Sequence, residues 1–70
     1  MNSQIKIKHA TFQNSYSLMA VKNQSSILVC NKYKLGKRWE FNVSHQGKAE
    51  FFPSWEAAKA RFDEILATLK

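Results

Sequence analysis

The sequence predicts an α+β fold, an antiparallel four- or five-stranded meander with one C-terminal helix packed on one face. Three observations predict it. Arg38 to Ser44 alternates polar and apolar residues over a full strand length, the segment after Pro53 repeats apolar residues at intervals of three and four, and the earlier short runs rich in β-branched residues are separated by polar breaks. With 70 residues and a 44% hydrophobic content, the chain is expected to form a single domain over 1–70, sheet about 4–52 and helix about 54–69.

In the first strand, Ile5 and Ile7 alternate with Lys6 and Lys8, so the two lysines share one face. Asn14-Ser15 punctuates before a second strand from Tyr16 to Lys22. Lys22-Asn23-Gln24-Ser25-Ser26 is a polar break before a third, from Ser26 to Tyr33. Leu35-Gly36-Lys37 supplies a turn with a glycine available for positive φ. The strand after it places Trp39, Phe41 and Val43 on one face and Arg38, Glu40, Asn42 and Ser44 on the other. His45-Gln46-Gly47-Lys48 is a second turn, with His45 expected to cap it, and Ala49 to Phe52 returns as a short strand that Pro53 ends.

The helix has a legible start. Ser54 is a preferred N-cap, and Glu56 stands in the first turn, where the helix dipole favours negative charge. Lys70 falls at the opposite end, where a cation helps. Trp55, Ala58, Phe62, Ile65, Leu66 and Leu69 form one apolar stripe, which the Trp39/Phe41/Val43 face of the sheet is expected to cover, and Lys59 and Asp63 are spaced to pair on the outer face.

The net charge of +6 is unevenly placed. Residues 1–53 carry eight bases against Glu40 and Glu50, whereas 54–70 carry three of each sign. Half of the eight fall in Lys32-Tyr33-Lys34-Leu35-Gly36-Lys37-Arg38, a self-repulsive density that favours a polyanionic partner, although lysines also keep a sheet edge from pairing with other molecules. The open face is expected to carry Arg38, Glu40 and Asn42, with Lys6 and Lys8 if the first strand is in register, and Lys32 and Lys34 if the third strand turns Ile27 and Val29 inward. A single cysteine, Cys30, cannot form an intramolecular disulfide and points to a reducing interior. With no signal-peptide pattern at the start and no apolar run beyond four residues, a cytoplasmic chain with no membrane span is expected.

Enzyme chemistry is not expected. His9, His45 and Cys30 show no spacing that assembles a nucleophile, a base and an orienting group. Cys30 continues the apolar run Ile27-Leu28-Val29 as a small hydrophobe. Two histidines and one cysteine make no metal cage, Gly36 and Gly47 make no phosphate-cradling loop, and Asp63 and Glu64 point apart on a helix, so no metal, cofactor or catalytic residue is assigned. Trp39, Phe41, Trp55 and Phe62 fit the core by period. Phe12, Tyr16 and Tyr33 are not placed by period, and Tyr33, between two lysines, is either packed at a strand end with its hydroxyl in water or in the base-next-to-aromatic arrangement that stacks on unpaired bases.

Gly36-Lys37-Arg38-Trp39-Glu40-Phe41-Asn42-Val43, the turn at Gly47, Phe52-Pro53-Ser54-Trp55-Glu56-Ala57-Ala58 and Phe62-Asp63 together resemble the three-strand-plus-helix DNA-binding domain of ethylene-response factors and the arm-site-binding domains of tyrosine integrases. The likeness lies in a Gly-Lys turn, a Trp-led alternating strand and the helix entry, over about the last half of the chain. The resemblance implies that the sheet enters the major groove and that Lys32, Lys34 and Arg38 face DNA. The chain departs from the pattern in using lysines where those families have arginines, in Glu50 before the helix entry, and in Glu40 on the expected DNA face. These departures weaken base reading more than phosphate contact, because lysine lacks the bidentate fork of arginine.

The expected partner is therefore the phosphate backbone of DNA or RNA, contacted by Lys6, Lys8, Lys32, Tyr33, Lys34, Lys37, Arg38, Asn42 and Lys48. The alternative is an acidic protein surface, which a small phage-encoded inhibitor of the anti-CRISPR kind would occupy. An exposed edge strand leaves monomer and homodimer both open.

Overall fold

A computed structural model of the chain describes residues 4–69. It contains five strands, β1 (Lys6–Phe12), β2 (Ser15–Lys22), β3 (Ser25–Leu35), β4 (Arg38–His45) and β5 (Lys48–Phe52), followed by a helix, α1 (Trp55–Leu69). The strands form one antiparallel meander in the order β1-β2-β3-β4-β5, and α1 lies across β3, β4 and β5 on one side. The expected α+β meander is thus present in its five-stranded form. Lys70, the cation expected at the helix end, lies outside the described residues.

Each strand is closed by a turn its sequence can make. Gln46 (φ 54°) and Gly47 (φ 78°) are both left-handed between paired His45 and Lys48, the backbone of a type I′ hairpin, and Gly36 (φ 64°) takes the left-handed position of the β3–β4 turn. Asn23 (φ 53°) and Gln24 (φ 66°) make the β2–β3 turn in the same type I′ manner without a glycine. The helix starts as expected, with the Ala57 N–H donating to Ser54 Oγ at 3.1 Å.

The core forms between α1 and the sheet. Ala20, Leu28, Cys30 and Val43 meet Ala58, Phe62, Ile65 and Leu66, while Leu18, Ile27, Phe41, Phe52, Trp55 and Leu69 pack around them. The helical stripe is the one the spacing predicts. The phase of β3 is not, because Leu28 and Cys30 point inward in place of Val29. Ala20 pairs with Leu28 and Val21 with Ser26, which leaves Ile27 as the extra residue of a β-bulge. The bulge lets Ile27 and Leu28 both reach the core, and from there the alternation runs on Leu28, Cys30, Lys32 and Lys34. Lys32 and Lys34 consequently stand on the helix side of the sheet. A run of four apolar residues carries no alternation from which that phase can be read.

The side away from α1 carries Lys6, Lys8, Met19, Val29, Tyr33, Arg38, Glu40 and Phe51 by strand register. Across its middle, Ser17 Oγ donates to Asn31 Oδ1 at 2.7 Å and Asn31 Nδ2 donates to Asn42 Oδ1 at 3.0 Å, joining β2, β3 and β4 in one polar row. On α1 the expected Lys59–Asp63 pair does not form among the described residues. Arg61 instead pairs with Glu50 of β5 at 2.9 Å and with Glu64 one turn on.

Candidate nucleic-acid interface

The basic residues do not share a face. Lys6, Lys8 and Arg38 lie on the side away from α1, and Arg38 reaches Glu40 on the same strand at 3.5 Å. Lys32, Lys34 and Lys48 lie on the helix side, and Lys37 stands exposed in the β3–β4 turn. Tyr33, although flanked by Lys32 and Lys34 in sequence, points away from both and sits half-buried between Ser15 and Glu40. Asn42 is only 8% exposed, and its Oδ1 accepts from Asn31 Nδ2, so it lies largely beneath the surface that a phosphate would meet. The open face is therefore a mixed surface with exposed Phe12, Leu35 and Phe51, rather than the basic platform that an inward Ile27 and Val29 would have produced.

Cations and aromatic rings meet elsewhere, where the N-terminal end of α1 reaches the helix side of β2, β3 and β4. A cleft of about 450 Å³ opens there, lined by Tyr16, Lys32, Trp39, Trp55 and Lys59, with Thr11, Phe12, Gln13 and Ser15 from the β1–β2 hairpin. Its position follows from the strand pairing. Tyr16 is opposite Lys32, Lys32 is opposite Phe41, and Lys34 is opposite Trp39, so one surface carries an aromatic residue on each strand flanking the lysines of β3. Trp55, the first residue of α1, leans its ring edge-to-face on Tyr16 with centroids 5.6 Å apart. Lys32 Nζ lies 5.2 Å from the Trp55 centroid and 5.8 Å from that of Tyr16, held by two ring faces.

The electrostatics of the cleft are one-signed. No carboxylate lines it, and among the described residues the ion pairs are those of Arg38 and Arg61, so Lys32 and Lys59 have no acidic partner. Arg61 is occupied, and the Glu50 and Glu64 carboxylates raise its pKa further by stabilising the charged form. Trp39 is 45% exposed at the cleft.

Sequence periodicity assigned Trp39 and Trp55 to the core and Lys59 to the outer face of the helix. Both tryptophans have the expected side of their elements but lie at or near an end of them, where the partner surface runs out, and Lys59, one turn after Trp55, borders the cleft beside the sheet and not the outer face alone. A signal was available in the sequence. Trp39 directly follows the basic turn, and Trp55 begins the helix, so both tryptophans stand at the margin of an apolar pattern. No group of three or more His, Cys, Asp or Glu side chains suited to a metal gathers among the described residues, and no described helix is long and apolar enough to cross a membrane. No known protein family, curated protein or solved structure matches the chain.

Proposed function

We propose that the chain is a small nucleic-acid-binding protein whose phosphate contacts come from Lys32, Lys34, Lys37 and Lys59, around the cleft at the N-terminal end of α1. The observation that carries this reading is the cleft's lining of lysines and aromatic rings without a carboxylate. A phosphate approaching Lys32 displaces no ion pair, and the two rings already fix the ammonium, so little side-chain freedom is lost on contact. The resemblance to sheet-based DNA-binding domains supports the same class of partner, with the contact surface moved from the open face to the helix side.

Titration of the chain with labelled oligonucleotides over a salt series tests the reading. Binding is expected to weaken linearly in log–log form as counterions compete. Replacing Lys32, Lys34, Lys37 and Lys59 with glutamine is expected to flatten the slope by about 3, at about 0.7 to 0.9 per phosphate contact. Absence of binding at low salt, or a variant that binds as the parent does, overturns the proposal. One observation favours a protein partner instead: Phe12, Leu35 and Phe51, on β1, β3 and β5, leave 69%, 55% and 60% of their surface exposed on the side away from α1. On that reading the lysines would rim a contact with an acidic protein, and binding would survive nuclease treatment.

A further inference from the structure

We infer that the cleft receives one unpaired nucleobase, so that the protein selects single-stranded over duplex nucleic acid; this inference rests on the proposed nucleic-acid binding and adds a site to it. Phosphate contact alone needs exposed lysines and no concavity. The cleft supplies more than that. About 450 Å³ falls in the range of sites that hold a small molecule, and its walls are rings rather than aliphatic chains. Of those rings, Tyr16 and Trp55 are engaged with each other and with Lys32, whereas Trp39 leaves 45% of its surface in solvent. A flat base stacked on Trp39 would cover that surface. Its phosphate would then lie within the field of Lys32, Lys34 and Lys59.

The polar groups at the cleft suit a base without specifying one. Thr11 brings a hydroxyl and Gln13 an amide, each able to donate and to accept, so any base edge finds a partner there. A base in a duplex has both faces stacked and its pairing edge engaged, and it would have to leave the helix to enter. An unpaired base enters freely. Stacking on aromatic side chains tolerates every base because each has a π-face, so discrimination between strand states is expected without discrimination among sequences.

The chain's two tryptophans, Trp39 and Trp55, both line the cleft, so intrinsic fluorescence reports on it directly. The probes are oligothymidylate, a duplex of equal length, and an abasic single strand of equal charge. Oligothymidylate is expected to bind at least about tenfold more tightly than the abasic strand, and more tightly than the duplex, and to quench the fluorescence, which the abasic strand leaves unchanged. Trp39→Ala is expected to remove that advantage while leaving abasic binding as it was. Equal affinity for oligothymidylate and the abasic strand without quenching, or tighter binding of the duplex, overturns the inference but leaves phosphate binding standing. No binding to any of the three overturns both. Quenching of the unaltered protein decides the matter even if Trp39→Ala disturbs folding.

Discussion

Cys30 is fully enclosed beneath α1, and its surroundings decide its chemistry. Burial pushes the thiol pKa up to about 11, the Asp63 carboxylate adds to the rise, and Lys59 partly opposes it. The thiol is thus neutral and unreactive in the folded protein. An unfolded chain loses this proton near the ordinary value of 9.0, while the folded chain keeps it to about 11, so the folded state binds more protons between the two and stability falls as pH rises through that window. Denaturant titrations of the parent and Cys30→Ala at a series of pH values are expected to show the parent losing about 2 to 3 kcal/mol relative to the variant between pH 9 and 11, and no relative change below pH 8. A parallel pH dependence of the two proteins would contradict this. That Cys30 is a packed hydrophobe is legible from the run Ile27-Leu28-Val29-Cys30. Which of the four point inward is not, because a run without polar residues has no phase, and the bulge at Ile27 removes the parity that counting from either end would give.

Among the elements, the turns differ in quality. The β4–β5 turn places Gln-Gly where type I′ geometry prefers Asn-Gly, and the β2–β3 turn places Asn-Gln there, with Gln24 held at φ 66°. A side chain with a Cβ is strained in that region by about 1 to 2 kcal/mol, and glycine is not. Gln24→Gly is therefore expected to stabilise the fold by about 1 kcal/mol, and to raise Tm by about 4 to 8 °C. A lower Tm would mean that Gln24 makes contacts which outweigh its backbone strain. All five strands and the helix were legible in the sequence, because β4 alternates cleanly, the helix carries a cap and a stripe, and glycines or polar residues mark all four turns. The distribution of the bases was not. It depends on the phase of β3, and a shift of one residue carries Lys32 and Lys34 from one face of the sheet to the other. The cleft was hidden for the same reason, since it needs those lysines on the side of Trp39 and Trp55.

For the molecule as a whole, one helix covers the β3–β5 part of one side of a five-stranded sheet, and a single cluster must hold both together. Phe62, 1% exposed, is the largest fully buried side chain in it. Truncation to alanine is expected to cost about 3 to 5 kcal/mol, against a total stability of about 4 to 10 kcal/mol for a chain of this size. Phe62→Ala should consequently lower Tm by at least about 12 °C in a calorimetric scan, and sheet and helix signals should disappear together. Separate transitions for the two would show that the sheet is stable without its helix. The polar row Ser17–Asn31–Asn42 acts on a different quantity, the choice among competing hairpin pairings while the chain folds. A slip of two residues between β2 and β3 or between β3 and β4 returns every side chain to its own face, so apolar patterning alone discriminates weakly against it. A β2–β3 slip breaks the Ser17–Asn31 bond, and a β3–β4 slip separates the two amides and leaves Asn42 enclosed without its partner, a penalty of about 1 to 3 kcal/mol that falls on the wrong pairing and spares the right one.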